Sequence, residues 1–477
     1  TKTFAYDANG NKIRENGPRF DWHKEFEYDL CNRLILEKEC WSDDTILITK
    51  HSYNKINQRI TTIDPYGQLT TYEYNALGHL VKTQSPSLFI SPFAFVAPVE
   101  ENEYDPMGNA IVHKDGNGHI TKTSYTIRGQ PYRIEYPDGS VEQKEYSLDG
   151  LLIKEIAKNG LITTYVYDSF DRLISTVIGD PHGTSQKTKT VTYSTFQKLA
   201  ETDEEGMVTD YKYDWAGRCI SMRKGDHSTE YQYDPLGRIV KTIDSIDDTN
   251  ARITCKIYDL LDRVIEERIE DAHGEVFKRE KYSYDVDGNK ASTTIFTQAG
   301  VAKTEAEYHP NGKPSCITDA LGNKTRYFYD HAFSYKGQTV LYVNKVDAMG
   351  NREVTFYDTH GNVCYDSQID ASLAIIQREL SYYDPLGHKT LSEITVFQGG
   401  EEKHVIDTRW EYDAMGNLKR CIEAVGTPEE KTVSHHYNQY GQKARIDMPN
   451  GISIFNEYDI FGRPSTYKSS DQSIHYQ

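Results

Sequence analysis

The sequence predicts an all-β protein, an array of about 20 β-hairpins paired into a long antiparallel ribbon that strand twist curls into a spiral. Three observations carry this expectation. A Tyr-Asp pair, or a close variant of it, recurs from Tyr6 to Tyr458 in 20 copies spaced about 24 residues apart. A residue that tolerates left-handed backbone stands four positions after the Tyr. An alternating, Thr- and Tyr-rich stretch precedes it. Repetition on this scale marks solenoids, propellers and arrays.

The turn is the first element to justify. Clear copies begin at Tyr6 (YDANGN), Tyr104 (YDPMGN), Tyr233 (YDPLGR), Tyr383 (YDPLGH), Tyr412 (YDAMGN) and Tyr458 (YDIFGR). Degenerate copies begin at Tyr28, Tyr53, Tyr74, Tyr125, Tyr146, Tyr167, Tyr193, Tyr213, Tyr258, Tyr284, Tyr308, Tyr329, Tyr357 and Tyr437. Asp opening a type I turn caps it with its side chain, and Pro suits the next position. The expected structural turn residues are Asp7, Gly10, Asp105, Gly108, Asp234, Gly237, Asp384, Gly387, Asp413, Gly416, Asp459 and Gly462. Across all copies the fourth position after the Tyr holds 14 Gly, 2 Asn (Asn32, Asn57), 2 Asp (Asp171, Asp262), Gln197 and Phe333. Positive φ is what Gly, Asn and Asp share, so a hairpin loop of three to five residues with a bulge is expected.

The strands come next. Stretches such as Thr163-Thr164-Tyr165-Val166-Tyr167 alternate as a strand does. The residue two before the motif Tyr is aromatic in nine copies: Phe4, Phe26, Tyr72, Tyr165, Tyr211, Tyr231, Tyr282, Tyr327 and Trp410. Period-two spacing puts both rings on one face, so stacked hairpins are expected to form aromatic ladders. A second turn lies between successive Tyr-Asp turns, as in Asp64-Pro65-Tyr66-Gly67, Pro137-Asp138-Gly139-Ser140 and Asn450-Gly451. Each repeat is therefore strand, turn, strand, turn, with insertions collecting in the second turn.

Composition agrees with an open or hollow architecture, with an elongated solenoid of two packed faces as the alternative. Counting Gly and leaving out Tyr, about 36% of the chain is apolar, against roughly 45–50% in globular domains. A net charge of −18 argues against a nucleic-acid or anionic-membrane partner. No run of 18 apolar residues gives a membrane span. The chain opens on Thr1-Lys2-Thr3-Phe4, which reads as strand and not as a signal peptide. Seven scattered cysteines without a C-x-x-C pair indicate neither a disulfide framework nor a zinc site. The repeat runs through residues 1–477 without a linker, and the expectation is one array excised from a longer protein. Open sheet edges at Thr1 and Gln477 are expected to pair with other copies.

The unit Y-D-x-x-G-[RN] preceded by T-x-Y-x-Y resembles the YD repeat of Rhs proteins, also found in insecticidal toxin-complex B/C subunits and animal teneurins. The resemblance covers essentially the whole chain. It implies a ribbon that spirals into a hollow shell. In bacterial members the shell encloses a toxic polypeptide, and in teneurins it serves a cell-surface adhesion receptor. For this chain it implies a structural shell segment, secreted or at the cell surface, whose partners are the rest of an Rhs-like parent and a polypeptide cargo. The alternative is an adhesion or carbohydrate-binding segment with a glycan or cell-surface partner. Nothing after Tyr458 resembles the self-cleaving core of the bacterial members, so no cleavage residue is assigned.

No catalytic residue, cofactor or metal ligand is expected. The motifs H-E-x-x-H, G-x-x-x-x-G-K-[ST] and G-x-S-x-G are absent. His435 and His436 are adjacent and would point to opposite faces of a strand. Asp115-Gly116-Asn117-Gly118 and Asp287-Gly288-Asn289 are the nearest approach to a calcium loop, without its terminal Glu. Trp22, Trp41, Trp215 and Trp410 would be the first residues to consider for a sugar platform. Residues 84–99 (QSPSLFISPFAFVAPV) form an uncharged insertion whose Phe89, Ile90, Phe93 and Phe95 are candidate partner contacts. Covering its own sheet, entering a cavity and touching a neighbouring part of the parent are all open roles for it.

The turn assignment is testable. Gly237→Val forces a β-branched residue into positive φ and should destabilise by more than about 1 kcal/mol. Asp262→Gly, at the same place in another repeat, should be neutral or slightly stabilising. Equal shifts of the two melting temperatures would sink the assignment.

Overall fold

The computed structural model describes residues 2–19, 22–41, 45–180, 183, 185–245, 250–298, 300–459, 461–472 and 475–476. Thr1 and Gln477, where open edges are expected, lie outside these. The described residues form 43 β-strands and no helix. No helix is therefore long and apolar enough to cross a membrane. The chain divides into two compact units. One comprises Thr1–Glu142, Tyr308–Cys316 and Lys324–Gln477, and the other Gln143–Glu307 and Ile317–Asn323.

Both units are antiparallel meanders. In the first, Trp22–Tyr28 pairs with Leu34–Trp41, which pairs with Ile46–Tyr53. In the second, Ala251–Tyr258 pairs with Val264–Asp271, which pairs with Val276–Tyr284. Alternate turns of a meander fall on opposite edges, so within each unit the Tyr-Asp turns line one edge and the second turns the other.

The Tyr-Asp turn has a fixed hydrogen-bond pattern. The Gly237 N–H donates to the Asp234 carbonyl at 2.9 Å, and the Asp234 N–H donates to the Arg238 carbonyl at 2.9 Å. Asp234 Oδ1 accepts from the N–H groups of Leu236 (2.9 Å) and Arg238 (3.0 Å). Asp7, Asp105, Asp384, Asp413 and Asp459 repeat this double acceptance. Gly10, Gly108, Gly237, Gly387, Gly416 and Gly462 have φ between 79° and 88°. Asn32, Asn57, Asp171 and Asp262 take φ of 60–66° at the equivalent place. Second turns such as Asp64–Gln68 use the same capping.

What joins one hairpin to the next is the motif Tyr. In thirteen copies its hydroxyl donates to a main-chain carbonyl of the preceding repeat, the residue six positions after that repeat's own Tyr. In the second unit Tyr233 reaches Cys219 (2.6 Å), Tyr258 reaches Ile239 (2.8 Å) and Tyr284 reaches Val264 (2.7 Å). In the first, Tyr28, Tyr53, Tyr383 and Tyr412 reach Lys12, Leu34, Val363 and Lys389 at 2.9–3.0 Å.

The expected ladder of stacked aromatic rings is replaced along this edge by cation and ring in alternation. Arg238 lies 4.8 Å from the Tyr258 ring, and Arg263 lies 4.5 Å from that of Tyr284. Each Arg also pairs with the Asp of its own turn. The physical reason is spacing: the side chain following the turn Gly reaches the neighbouring Tyr before another ring can. Where that side chain is His, it stacks instead, as His388 does on Tyr412 at 4.7 Å.

Two outcomes follow for stability. Tyr258→Phe removes one hydroxyl–carbonyl bond and should cost about 0.5–1.5 kcal/mol, read as a lower urea midpoint. Asp234 is held below the usual carboxylate range, first by the Arg238 N–H and then by its guanidinium, against the opposing effect of burial. A depressed carboxyl contributes stability above its unfolded value and loses it as pH falls through and below about 4. Asp234→Asn, which keeps an accepting oxygen, should flatten that part of the acid-unfolding curve.

Candidate functional site

The site is the place where the repeat fails. At Tyr329-Asp330-His331-Ala332-Phe333 no Tyr-Asp turn forms, which corrects the reading of Tyr329 as a further copy of the hairpin turn. Phe333 is bulky at the position where 18 of the copies take positive φ. The strand instead runs on as Lys324–Tyr335, with a register shift between Asp330 and Phe333. It turns at Lys336 (φ 49°) and Gly337 (φ 82°) and returns as Gln338–Val346.

The longer strands build a small core, unlike most of the chain. Val340, Val354, Phe356 and Cys364 are buried, with Phe333, Tyr335, Tyr342, Tyr365 and Ile369 packed against them. Phe356 stacks on Tyr365 at 4.3 Å and lies 4.8 Å from Phe333. Burial raises the Cys364 thiol to about 12, and its Sγ donates to the Phe356 carbonyl. This cysteine is a packed thiol.

The insertion folds onto this region. Leu88–Ser91 pairs with Ala94–Val96 as a separate small hairpin. Leu88 and Phe89 are only 1% and 4% exposed. The Phe89 ring lies 4.5 Å from Phe95, 6.3 Å from Tyr335 and under Lys336 Nζ at 5.1 Å. Gln338 Nε2 and Thr359 Oγ1 both donate to the Ser87 carbonyl, at 2.9 and 3.3 Å. Ile90 is half-buried. Phe93 is 95% exposed, with Phe95 at 53%. Of the open roles for the insertion, this hairpin covers its own chain with Leu88 and Phe89 and leaves Phe93 facing outward.

The same edges meet elsewhere within the first unit, second turns against Tyr-Asp turns and, at His331, against the overrunning strand. Arg19 Nη1 donates to the Tyr308 carbonyl (3.0 Å), Tyr66 Oη bonds His331 Nδ1 (3.0 Å), and Asn117 Nδ2 donates to Asp384 Oδ2 (2.9 Å). Trp41, buried, stacks on His309 and meets His331 edge-on. A Cβ on Gly116 would sit 2.9 Å from Pro385 Cβ, so this approach requires glycine. The separations are 251 to 289 residues.

Beside this seam lies a cavity of about 480 Å³ lined by Asp64, Tyr66, Lys313, Tyr327, Tyr329 and Tyr357 among others. Burial raises the Asp64 carboxyl and lowers the Lys313 ammonium. No array of general acid, base and nucleophile is assembled in it.

The calcium candidates are engaged otherwise. Asp115 caps its own turn while Asn117 bonds Asp384, and the Asp287 and Asn289 N–H groups donate to Asp285. Among the described residues, sequence reasoning missed one group that could hold a metal, His23, Glu25 and Cys40, whose ligand atoms lie within 4.8 Å of one another. His23 and Cys40 face each other across paired strands, a relation no linear spacing reveals. Glu25 already faces Arg14 at 3.5 Å, and burial, then the Glu25 charge, raises the Cys40 thiol. Both features favour an ion pair with a protonated thiol over an ion site. Among the tryptophans, Trp22 donates to Glu39, Lys389 lies 5.3 Å from the Trp410 ring, and Trp215 is 97% exposed.

Meander and capped turns define the class: an all-β array of Tyr-Asp hairpins. Its fold is that of the crystal structure of TcdB2-TccC3-Cdc42, which aligns over 99% of this chain with TM-score 0.62 and 12% identity. The likeness to YD-shell proteins drawn from the turn motif therefore extends to the fold. TcdB2-TccC3 without its hypervariable C-terminal region aligns over the same share with TM-score 0.45 and 11% identity. This chain spans 30% and 34% of those two chains. Among curated proteins, Double-stranded DNA deaminase toxin A of Burkholderia cenocepacia (strain H111) is 25% identical over 180 residues, 37% of this chain and 12% of that protein. No protein-family model matches the chain.

Phe89→Ala empties the contact between insertion and core. At 4% exposure of Phe89, it should cost about 3–5 kcal/mol. Phe93→Ala should leave the melting temperature unchanged, and equal losses from both would refute the docked arrangement.

Proposed function

We propose that this chain is a wall segment of an Rhs-like shell that encloses and sequesters a polypeptide toxin, with a structural and not a catalytic part in it. The observation that carries the reading is the fold match with TcdB2-TccC3-Cdc42 over 99% of the chain. The similarity to a curated deaminase toxin over 180 residues adds support, because it ties this kind of repeat to a toxin polypeptide. Physics favours the reading too. An unfolded cargo offers side chains in no fixed order, so its container needs a wall of mixed polar and aromatic character. The closing of one ribbon edge on the other in the first unit is the joint that a coiled wall requires. On this reading the parent protein is secreted or displayed at the cell surface, and the segment's partners are the rest of that parent and its cargo.

A second reading, a segment that binds glycan at a cell surface, is favoured by the Tyr-lined cavity with Asp64 and Lys313 in its wall. A glycan array probed with the 477-residue chain tests it.

Limited proteolysis of the whole parent tests the first. The enclosed polypeptide should resist cleavage in the wild type and become sensitive when Gly237→Val and Gly387→Val loosen the wall. Equal sensitivity in both proteins would defeat the container.

A further inference from the structure

Three departures from the repeat rule meet in one cavity of the first unit. An ordinary turn pairs its opening Asp with the side chain four residues on, as Asp105 does with Asn109 and Asp234 with Arg238. At Asp64 that place holds Gln68, whose side chain makes no such bond. Asp64 Oδ1 still caps the turn, accepting from the N–H groups of Tyr66 (2.9 Å) and Gln68 (2.8 Å). Among the described residues no donor reaches its Oδ2. Lys313 shows the converse loss. It stands where Arg238 and Arg263 stand in their turns, but its own turn opens with His309 in place of Asp. Its Nζ lies 5.3 Å from the Tyr329 ring, and among the described residues no carboxylate comes within ion-pair distance. The third departure is Tyr357. The carbonyl six after Tyr329 belongs to Tyr335, where the strand overruns its turn and pairs with Gln338. The Tyr357 hydroxyl therefore lacks the acceptor that thirteen other copies have.

All three groups line the cavity of about 480 Å³ beside the seam. Small-molecule sites run from roughly 300 to 1,000 Å³. Strand register puts Tyr329, Val343, Leu341 and Tyr357 on one sheet face, which forms the floor. Asp64 and Tyr66 come from the second turn that the seam lays beside this floor, where Tyr66 is held by His331. Burial raises the Asp64 carboxyl against the pull of its two N–H donors, and burial alone lowers the Lys313 ammonium. Each charge has lost hydration, and neither neutralises the other. A ligand carrying one charge of each sign answers both. The Tyr rings accept a cation over their faces and give a short carbon chain an apolar surface. The Tyr357 hydroxyl adds a donor for an anionic oxygen. A neutral sugar, the ligand of the second reading above, would leave both charges unanswered.

We infer that this cavity is a binding site for a small zwitterion of the amino-acid class, its ammonium paired with Asp64 and its carboxylate with Lys313. The two residues belong to opposite edges of the ribbon, so the bound molecule bridges the seam and its occupancy is tied to the closed joint. The site rests on the cavity and not on the enclosed cargo, so it stands or falls apart from the container.

Isothermal titration calorimetry on the 477-residue chain tests this with ω-amino acids of increasing length, from glycine to aminohexanoate. At least one length should bind with Kd of about 1 mM or tighter. Butylamine and butyrate, each carrying one of the two charges, should bind roughly tenfold more weakly or worse. Asp64→Asn keeps the capping oxygen and should weaken the zwitterion about tenfold without weakening butyrate. Lys313→Met should weaken it to the same degree without weakening butylamine. Neither substitution breaks an ion pair, so both variants should melt no lower than the wild type. The best zwitterion should raise the melting temperature of the wild type and leave that of the variants unchanged. A chain that binds no member of the series overturns the inference, as does one that binds either single-charge probe as tightly as the best zwitterion. Binding of galactose in the absence of any zwitterion binding overturns it too, and gives the cavity to the glycan.

Discussion

The bond from the motif Tyr hydroxyl to a carbonyl in the preceding repeat, made in thirteen copies, is the constraint on which the rest depends. A hairpin of two short strands is marginal alone, and these sheets have little buried core to hold hairpins together. Where it is made, the hydroxyl fixes the separation and slide of neighbouring hairpins at one point. The Asp cap keeps the turn rigid enough for that point to be met, and the Arg or His that follows clamps the ring from the other side. Stability is therefore close to a sum over neighbours, as in other repeat arrays.

Much of this was legible in the sequence. Positive φ restricts the chain to Gly, Asn or Asp, so the turns announce themselves through residue type at one position. The strands follow from period two. The destination of the Tyr hydroxyl was hidden, because a carbonyl looks alike in every residue. The side chain five after the Tyr was visible as Arg or Asn, yet its reach into the next repeat depends on sheet spacing. At Tyr329 the signals were present, a bulky Phe333 where a flexible residue belongs and Lys336-Gly337 just beyond. The contacts of Trp41 with His309 and His331 could not be read, since they depend on how the ribbon bends over more than 250 residues. The insertion advertised burial through its apolar content, but not the surface it would cover.

The failure of the repeat and the closing of the edges belong together. A regular hairpin array has identical, fully bonded turns along its edge and offers a neighbouring run little to grip. Where Lys324–Tyr335 overruns its turn, an extra length of strand protrudes, the aromatic cluster forms on it, and the Leu88–Val96 hairpin finds an apolar seat. Irregularity here supplies what the regular wall lacks, a core with depth.

The hydroxyl link also gives the array a direction. Each Tyr looks back to a carbonyl that an earlier repeat must already present, whereas each Arg waits for a ring that has yet to be made. A chain leaving the ribosome therefore meets its acceptors ready-made: every new hairpin lands on a finished neighbour and, in landing, locks the cation of the one before. Growth and consolidation run the same way along the polypeptide, as courses of brick are laid, and an unfolded stretch of the emerging chain need never be longer than about one repeat.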